Sequence, residues 1–96
     1  MLGLVAILKI KEGTEAAFES EMAAMIKFVH AEEPDCLQYD MFKHKSEERT
    51  YVMMERYKDQ AAVDAHMQSP QFQALFAKFQ DILDGAPALH MLDAVV

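Results

Sequence analysis

The stretch AHMQSPQFQALFAKF, residues 65–79, holds one histidine, a Ser-Pro step and phenylalanines at 72, 76 and 79. An unperturbed imidazole has a pKa of roughly 6.5, so His66 is the side chain best suited to take a phenolic proton near neutral pH. Helical spacing puts Ala62, Val63, His66 and Met67 on one face, so the histidine borders an apolar stripe. On the alternative that His66 is only a buried packing residue, Asp64, Ser69 or backbone groups are the expected partners of its nitrogens. Phe72 and Phe76 lie nearest to it among the phenylalanines and are the expected aromatic wall of a cavity. Tyr39, Tyr51 and Met53 are the candidates from a facing sheet. A tyrosine hydroxyl inside an apolar cavity seeks a hydrogen-bond partner, and an aromatic diol supplies one. Glu55 shares a strand face with Tyr51 and Met53, which predicts that it reaches the pocket rim. The same phenylalanines are spaced for burial, and a pocket between helix and sheet is lined by core side chains.

Other reactive residue types lack the spacing their chemistry needs. Cys36 has no activating neighbour in sequence and reads as a small buried residue at a strand start. His30, His44, His66 and His90 form no HxxxH pattern, and no CxxC occurs, so no metal site is expected.

The elements that must position these residues follow from length and pattern. Ninety-six residues predict a single domain over 1–96, with 52% hydrophobic and 26% charged residues, a globular composition. The formal charge of −7, with no Lys/Arg cluster, argues against nucleic acid as a partner. The apolar run Leu2 to Leu8 is too short to span a bilayer and is followed, not preceded, by lysines, so neither a membrane anchor nor a signal peptide is expected. One cysteine and eight methionines point to the cytoplasm.

LGLVAILKIK reads as a strand over 2–11. Thr14 is a candidate N-cap for an amphipathic helix carrying Phe18, Met22, Met25, Ile26 and Val29, which Pro34 and Asp35 stop. Strands follow over 36–44, with Leu37, Tyr39 and Met41 on one face and Phe42 on the other, and over 50–57, joined by the polar loop KSEER. Asp59 caps a short helix, QAAVDAHM. Ser69-Pro70 starts another, whose stripe is Phe72, Leu75, Phe76, Phe79 and Leu83 and which Gly85 and Pro87 end. ALHMLDAVV closes as a strand. The order βαββαβ, with its second helical region broken, predicts an α+β ferredoxin-like sandwich with a four-stranded antiparallel sheet. Both faces of the strands are apolar: Val52 and Met54 oppose Tyr51 and Met53, and Val5 and Ile7 oppose Leu4, Ala6 and Leu8. A second copy of the chain is the expected cover, giving a homodimer.

The segments KEGTEAAF, EEPDCLQYDMFKH and YVMMERYKDQAAVDAHMQSPQFQ resemble the antibiotic biosynthesis monooxygenase family, most specifically in CLQYD, MERYKD and AHMQSPQF. The resemblance implies a ferredoxin-like homodimer whose two sheets pack into a shared barrel, with a pocket between helices and sheet in each protomer. It includes quinol and anthrone monooxygenases that use no metal or flavin, heme-degrading enzymes, and an isomerase of a phosphorylated sugar. In the quinol enzymes and the isomerase, a histidine stands at the position of His66. Many members carry Gly where this chain has Asp35, a residue that tolerates the same turn. The groups that heme-degrading members use align with Ala6, His66 and Phe76, none of which matches, so heme degradation is not expected.

The expected function is that of a monooxygenase without a cofactor, with O2 as co-substrate, acting on a small electron-rich aromatic such as a hydroquinone or anthrone after deprotonation by His66. The alternatives are an isomerase of a small phosphorylated sugar-like metabolite, which needs cations such as Lys43, Arg49 or Arg56 at the pocket, and a non-catalytic ligand-binding or stress protein.

Overall fold

The computed structural model describes all residues from Met1 to Val96. In chain order the elements are β1 (Leu2–Lys9), α1 (Glu15–Glu32), β2 (Cys36–Lys43), β3 (Thr50–Tyr57), α2 (Gln60–Gln68), α3 (Pro70–Lys78), a 3-10 turn (Phe79–Asp81) and β4 (Ala88–Asp93). The strands form one antiparallel sheet in the order β2-β3-β1-β4, the ferredoxin-like arrangement expected from the pattern.

The two-residue period of a strand decides which side chains meet the helices. Leu4, Ala6 and Leu8 of β1 pair with Glu55, Met53 and Tyr51 of β3, and all six are buried on one face. On α1, Phe18, Met22, Met25 and Val29 fall at i, i+4, i+7 and i+11 and are buried against that face. Phe18 is fully enclosed, its ring 4.8 Å from Tyr51 and 5.9 Å from Phe79. The opposite face carries Val5, Ile7, Phe42, Val52, Met54 and Leu92, of which Ile7, Phe42, Met54 and Leu92 are exposed. No helix is long and apolar enough to cross a membrane.

Several local expectations need correction. Leu37 does not share the covered face of Tyr39: a bulge between Cys36 and Gln38 shifts the register against β3 and leaves Leu37 exposed. The same bulge lets Cys36 and Tyr39, three positions apart, both pack on the core. Thr14 stands at the N-cap of α1 without a capping bond, because its hydroxyl donates to the Lys11 carbonyl at 2.6 Å and tightens the preceding turn at Gly13. β1 ends at Lys9, not 11, and α3 ends at Lys78, short of Leu83. The reason for both is one backbone junction. Lys11 N–H donates to Ile82 at 2.8 Å, Asp84 N–H donates to Lys9 at 2.7 Å, and Ile10 bridges Leu83, which pulls the chain out of the helix and onto the end of β1. β4 stops at Asp93, short of Val96. It is the edge strand beside β1, and all six of its residues are exposed.

The break in the second helical region is built as the sequence predicts. Asp59 accepts from the Ala62 N–H at 2.9 Å at the start of α2. Ser69 is extended (φ −63°, ψ 143°), ends α2 and begins α3, and its hydroxyl accepts from the Phe72 N–H at 3.1 Å with Pro70 at the first helical position. Removing that acceptor leaves a helix-end N–H without its partner. Ser69→Ala should therefore lower unfolding stability by about 1 kcal/mol in urea denaturation, whereas Ser69→Asp should hold close to wild type. An unchanged midpoint in the alanine variant would show that the cap contributes nothing.

Candidate active site

Between the helices and the sheet lies a cavity of about 80 Å³. Its floor is Leu4, Ala6 and Leu8 of β1 and Met53 of β3. Met22 of α1 and Phe72, Leu75, Phe76 and Phe79 of the α3 region form the roof, and Pro87 and Leu89 border the side toward β4. Only three lining residues bring a polar group that can exchange or share a proton: His66, Glu55 and, through its hydroxyl, Tyr39. The structure thus brings together His66, Tyr39, Met53, Glu55, Phe72 and Phe76 of the expected set.

Tyr51 is the exception. It shares the sheet face of Met53 but lies toward the N-terminal end of α1, where its ring packs on Phe18 and its hydroxyl donates to Glu19 at 2.5 Å. It does not line the cavity. Phe76 lines the cavity while half exposed, because β4 has no helix above it.

His66 is 2% exposed. Its ring sits among Phe72 (4.9 Å between centroids), Tyr39 (5.1 Å) and Tyr57 (5.7 Å). The capping of α2 by Asp59 and the stop at Ser69 aim this residue inward together with Val63. Its Nδ1 is 2.8 Å from Oε1 of Glu33, which stands at the C-cap of α1. The expected partners Asp64 and Ser69 do not touch it: Asp64 accepts from Gln60, and the Ser69 hydroxyl caps α3. Glu33 could not be found by local reasoning, since it lies 33 positions away and follows the helical stripe rather than belonging to it.

Glu55 is buried, not at an exposed rim, and accepts a hydrogen bond from the Tyr57 hydroxyl at 2.5 Å. Burial pushes its carboxyl up from the ordinary 4.5 to about 7; the Tyr57 bond opposes the rise and the nearby Glu33 charge adds to it. Tyr57 was not a candidate from sequence, although its place two residues after Glu55 on the same strand face was visible there. Burial, and then the Glu55 charge, hold the Tyr39 hydroxyl above its ordinary range. Tyr51 and Tyr57 each donate to a carboxylate, whereas the Tyr39 hydroxyl donates to no group of the chain. Cys36 is half-buried and donates to the Gln38 carbonyl. Burial and the charges of Glu55 and Glu33 push its thiol up to about 11, which keeps it protonated and a poor nucleophile.

The basic residues stand elsewhere. Lys43 lies over the Tyr51 ring at 5.9 Å, Arg49 pairs with Glu48, and Arg56 faces the other side of the sheet opposite Gly3.

Comparison with known proteins agrees with this architecture. The model of a family described as antibiotic biosynthesis monooxygenase matches residues 1–78. YcnE of Bacillus subtilis, provisionally named a monooxygenase, is 37% identical over 83 residues, covering 86% of each chain. A crystal structure from Caulobacter crescentus, also provisionally named an antibiotic biosynthesis monooxygenase, is 35% identical with a TM-score of 0.95, over 99% of this chain and 90% of that one. Rv0793 from Mycobacterium tuberculosis, at 24% identity and a TM-score of 0.91 over 99% and 95% of the two chains, shares the fold.

The raised pKa of Glu55 has a stability consequence. Below pH 4.5 the group is protonated in both folded and unfolded chains. Between 4.5 and about 7 the unfolded chain ionises while the folded one keeps its proton, so stability falls as pH rises through this window and is flat above it. At 1.36 kcal/mol per pH unit the loss is about 3 kcal/mol. Glu55→Gln cannot ionise and should lack this component. Urea unfolding of both proteins between pH 4 and 8 checks it; parallel pH curves would contradict a buried, proton-holding Glu55.

Proposed function

The chain belongs to the antibiotic biosynthesis monooxygenase family, and on that footing we propose that it is a monooxygenase acting on a small electron-rich aromatic, a hydroquinone or anthrone, with O2 as co-substrate and no cofactor. One observation carries this reading: an apolar cavity whose few polar groups are an imidazole, an unpartnered phenol and a buried carboxyl of pKa about 7. Such a site binds a neutral ring, since a buried anion without partners costs several kcal/mol. It then needs one base to make the reactive anion in place.

For an anthrone the step balances as follows. His66 takes one proton from the ring CH2, leaving an enolate. The enolate passes one electron to O2, and the resulting pair recombines to a carbon–oxygen bond. The bound peroxide takes the proton back. Loss of the remaining C–H proton with cleavage of the O–O bond gives the ketone and water. The substrate supplies all four electrons, one oxygen atom enters the product and the other leaves as water. The Tyr39 hydroxyl is suited to hold a substrate oxygen, Glu55 to handle the second proton, and the aromatic walls to keep water out.

The isomerase alternative finds no support at this cavity, because none of Lys43, Arg49 and Arg56 lines it to hold a phosphate.

The test is oxygen uptake and product formation with a menadiol- or anthrone-like substrate against a no-protein blank. His66→Ala should lose turnover by a factor on the order of 10²–10⁴ while keeping its fold, since alanine suits a helix. His66→Gln should lose it as well, because an amide cannot accept the proton. Full kcat in both variants would reduce His66 to a packed helix residue.

The same reading includes a homodimer joined through the outer sheet face, where Val5, Ile7, Phe42, Val52, Met54 and Leu92 form an apolar surface without a covering layer. Light scattering at micromolar concentration should give twice the chain mass, and Met54→Lys should shift it to the monomer. A monomeric wild type would remove the claim.

A further inference from the structure

We infer that Glu33 is the positioning residue of His66: it fixes the imidazole with its proton on Nδ1 and its bare Nε2 as the base. The catalytic consequence rests on the monooxygenase reading above; the hold on the ring does not. A carboxylate 2.8 Å from Nδ1 accepts a hydrogen bond from its N–H, and in a neutral imidazole the other nitrogen is then the acceptor. Nε2 makes no hydrogen bond within the chain, and His66 lines the cavity. The dyad therefore leaves a free lone pair on the nitrogen turned away from Glu33, on a residue that lines the cavity.

Two further observations separate this from an ordinary tie between helix ends. Glu33 is held rigidly by backbone on both sides: its N–H donates to the Val29 carbonyl at 2.9 Å, its own carbonyl accepts from the Cys36 N–H at 3.0 Å, and Pro34 follows it. Its second carboxylate oxygen, Oε2, is buried with no partner. A carboxylate oxygen buried without a donor is poorly compensated. When His66 carries two protons the pair becomes ionic. The carboxylate thus faces the imidazolium that would exist just after His66 has taken the substrate's proton, the same arrangement by which a buried aspartate serves a catalytic histidine elsewhere.

The experiment reads the ring and the rate separately. Two-bond ¹⁵N–¹H correlation spectra of the neutral ring, with His66 assigned by its absence in His66→Gln, should show wild type with the proton on Nδ1. Glu33→Ala should move His66 toward the mixture of tautomers found for imidazole in water. Glu33→Gln should keep the tautomer through its amide oxygen but lose the charge. In turnover, Glu33→Ala should lose kcat on the order of 10²–10⁴-fold with little change in KM, and Glu33→Gln should fall between it and wild type. A proton on Nε2 in wild type, or an unchanged tautomer in Glu33→Ala, overturns the proposal, as does a changed tautomer with undiminished kcat. If wild type turns over no aromatic substrate, the functional reading fails and the spectra alone decide whether Glu33 holds the ring. The wild-type spectrum keeps the question decidable should the alanine variant not fold.

Discussion

Proline at position 70 denies its predecessor a helical backbone, and Ser69 accordingly stands extended between α2 and α3. Much of the candidate site depends on that constraint. An unbroken helix from Gln60 onward would lay one stripe over the sheet and carry His66 and Phe72 along a single axis. The break instead gives each half its own direction. α2 turns His66 in against Tyr39 and Tyr57, while α3 carries Leu75 and Phe79 onto the core and leaves Phe76 at the margin. The space between the two halves and β1 is the cavity. The caps at Asp59 and Ser69 matter because each half is only nine residues long, too short to be stable without fixed ends and tertiary packing.

Each carboxyl among the polar groups near the cavity meets one donor of the chain. Glu33 at the end of α1 takes the imidazole of α2, and Glu55 of β3 takes the hydroxyl of Tyr57. Two carboxylates in one apolar region repel, and burial makes the repulsion worse. The outcome is asymmetric. Glu55, more deeply enclosed, holds its proton up to about pH 7, and Glu33 is left as the partner of the imidazole. Cys36 and Tyr39 stand in the same negative field and remain protonated.

The fold was legible in the sequence because its signals are local. Thr14 to Val29 shows one helical stripe, Ser69-Pro70 marks a start, and the polar KSEER loop separates two alternating strands. What was illegible depends on contacts between distant segments. The early ends of β1 and α3 come from hydrogen bonds joining residues 9–11 to 82–84, which no window of sequence contains. Leu37 lies outside the alternation because of a bulge that only pairing with β3 reveals. At the site, face-sharing correctly grouped Met53 with Glu55, but the same rule also admitted Tyr51. Alternation fixes the face of a sheet and says nothing about position along it, and Tyr51 sits at the other end, against Phe18. The partner of His66 was illegible for the same reason as the backbone junction: Glu33 reaches it only after the chain has folded back.

These charges bear on which ligands the proposed chemistry could accept. A ligand entering as an anion would meet Glu33 and, above about pH 7, an ionised Glu55, with no cation lining the cavity to offset them. A neutral ring meets no such opposition. If His66 then takes its proton, the new anion lies beside an imidazolium that Glu33 already faces, and a protonated Glu55 adds no second negative charge. The number of charges in the cavity rises by one pair, formed in contact, rather than by one isolated ion, which is the arrangement a low-dielectric site tolerates best. On the proposed reading, the burial that raises the pKa of Glu55 is therefore part of what would let the same cavity hold a neutral substrate and its conjugate base.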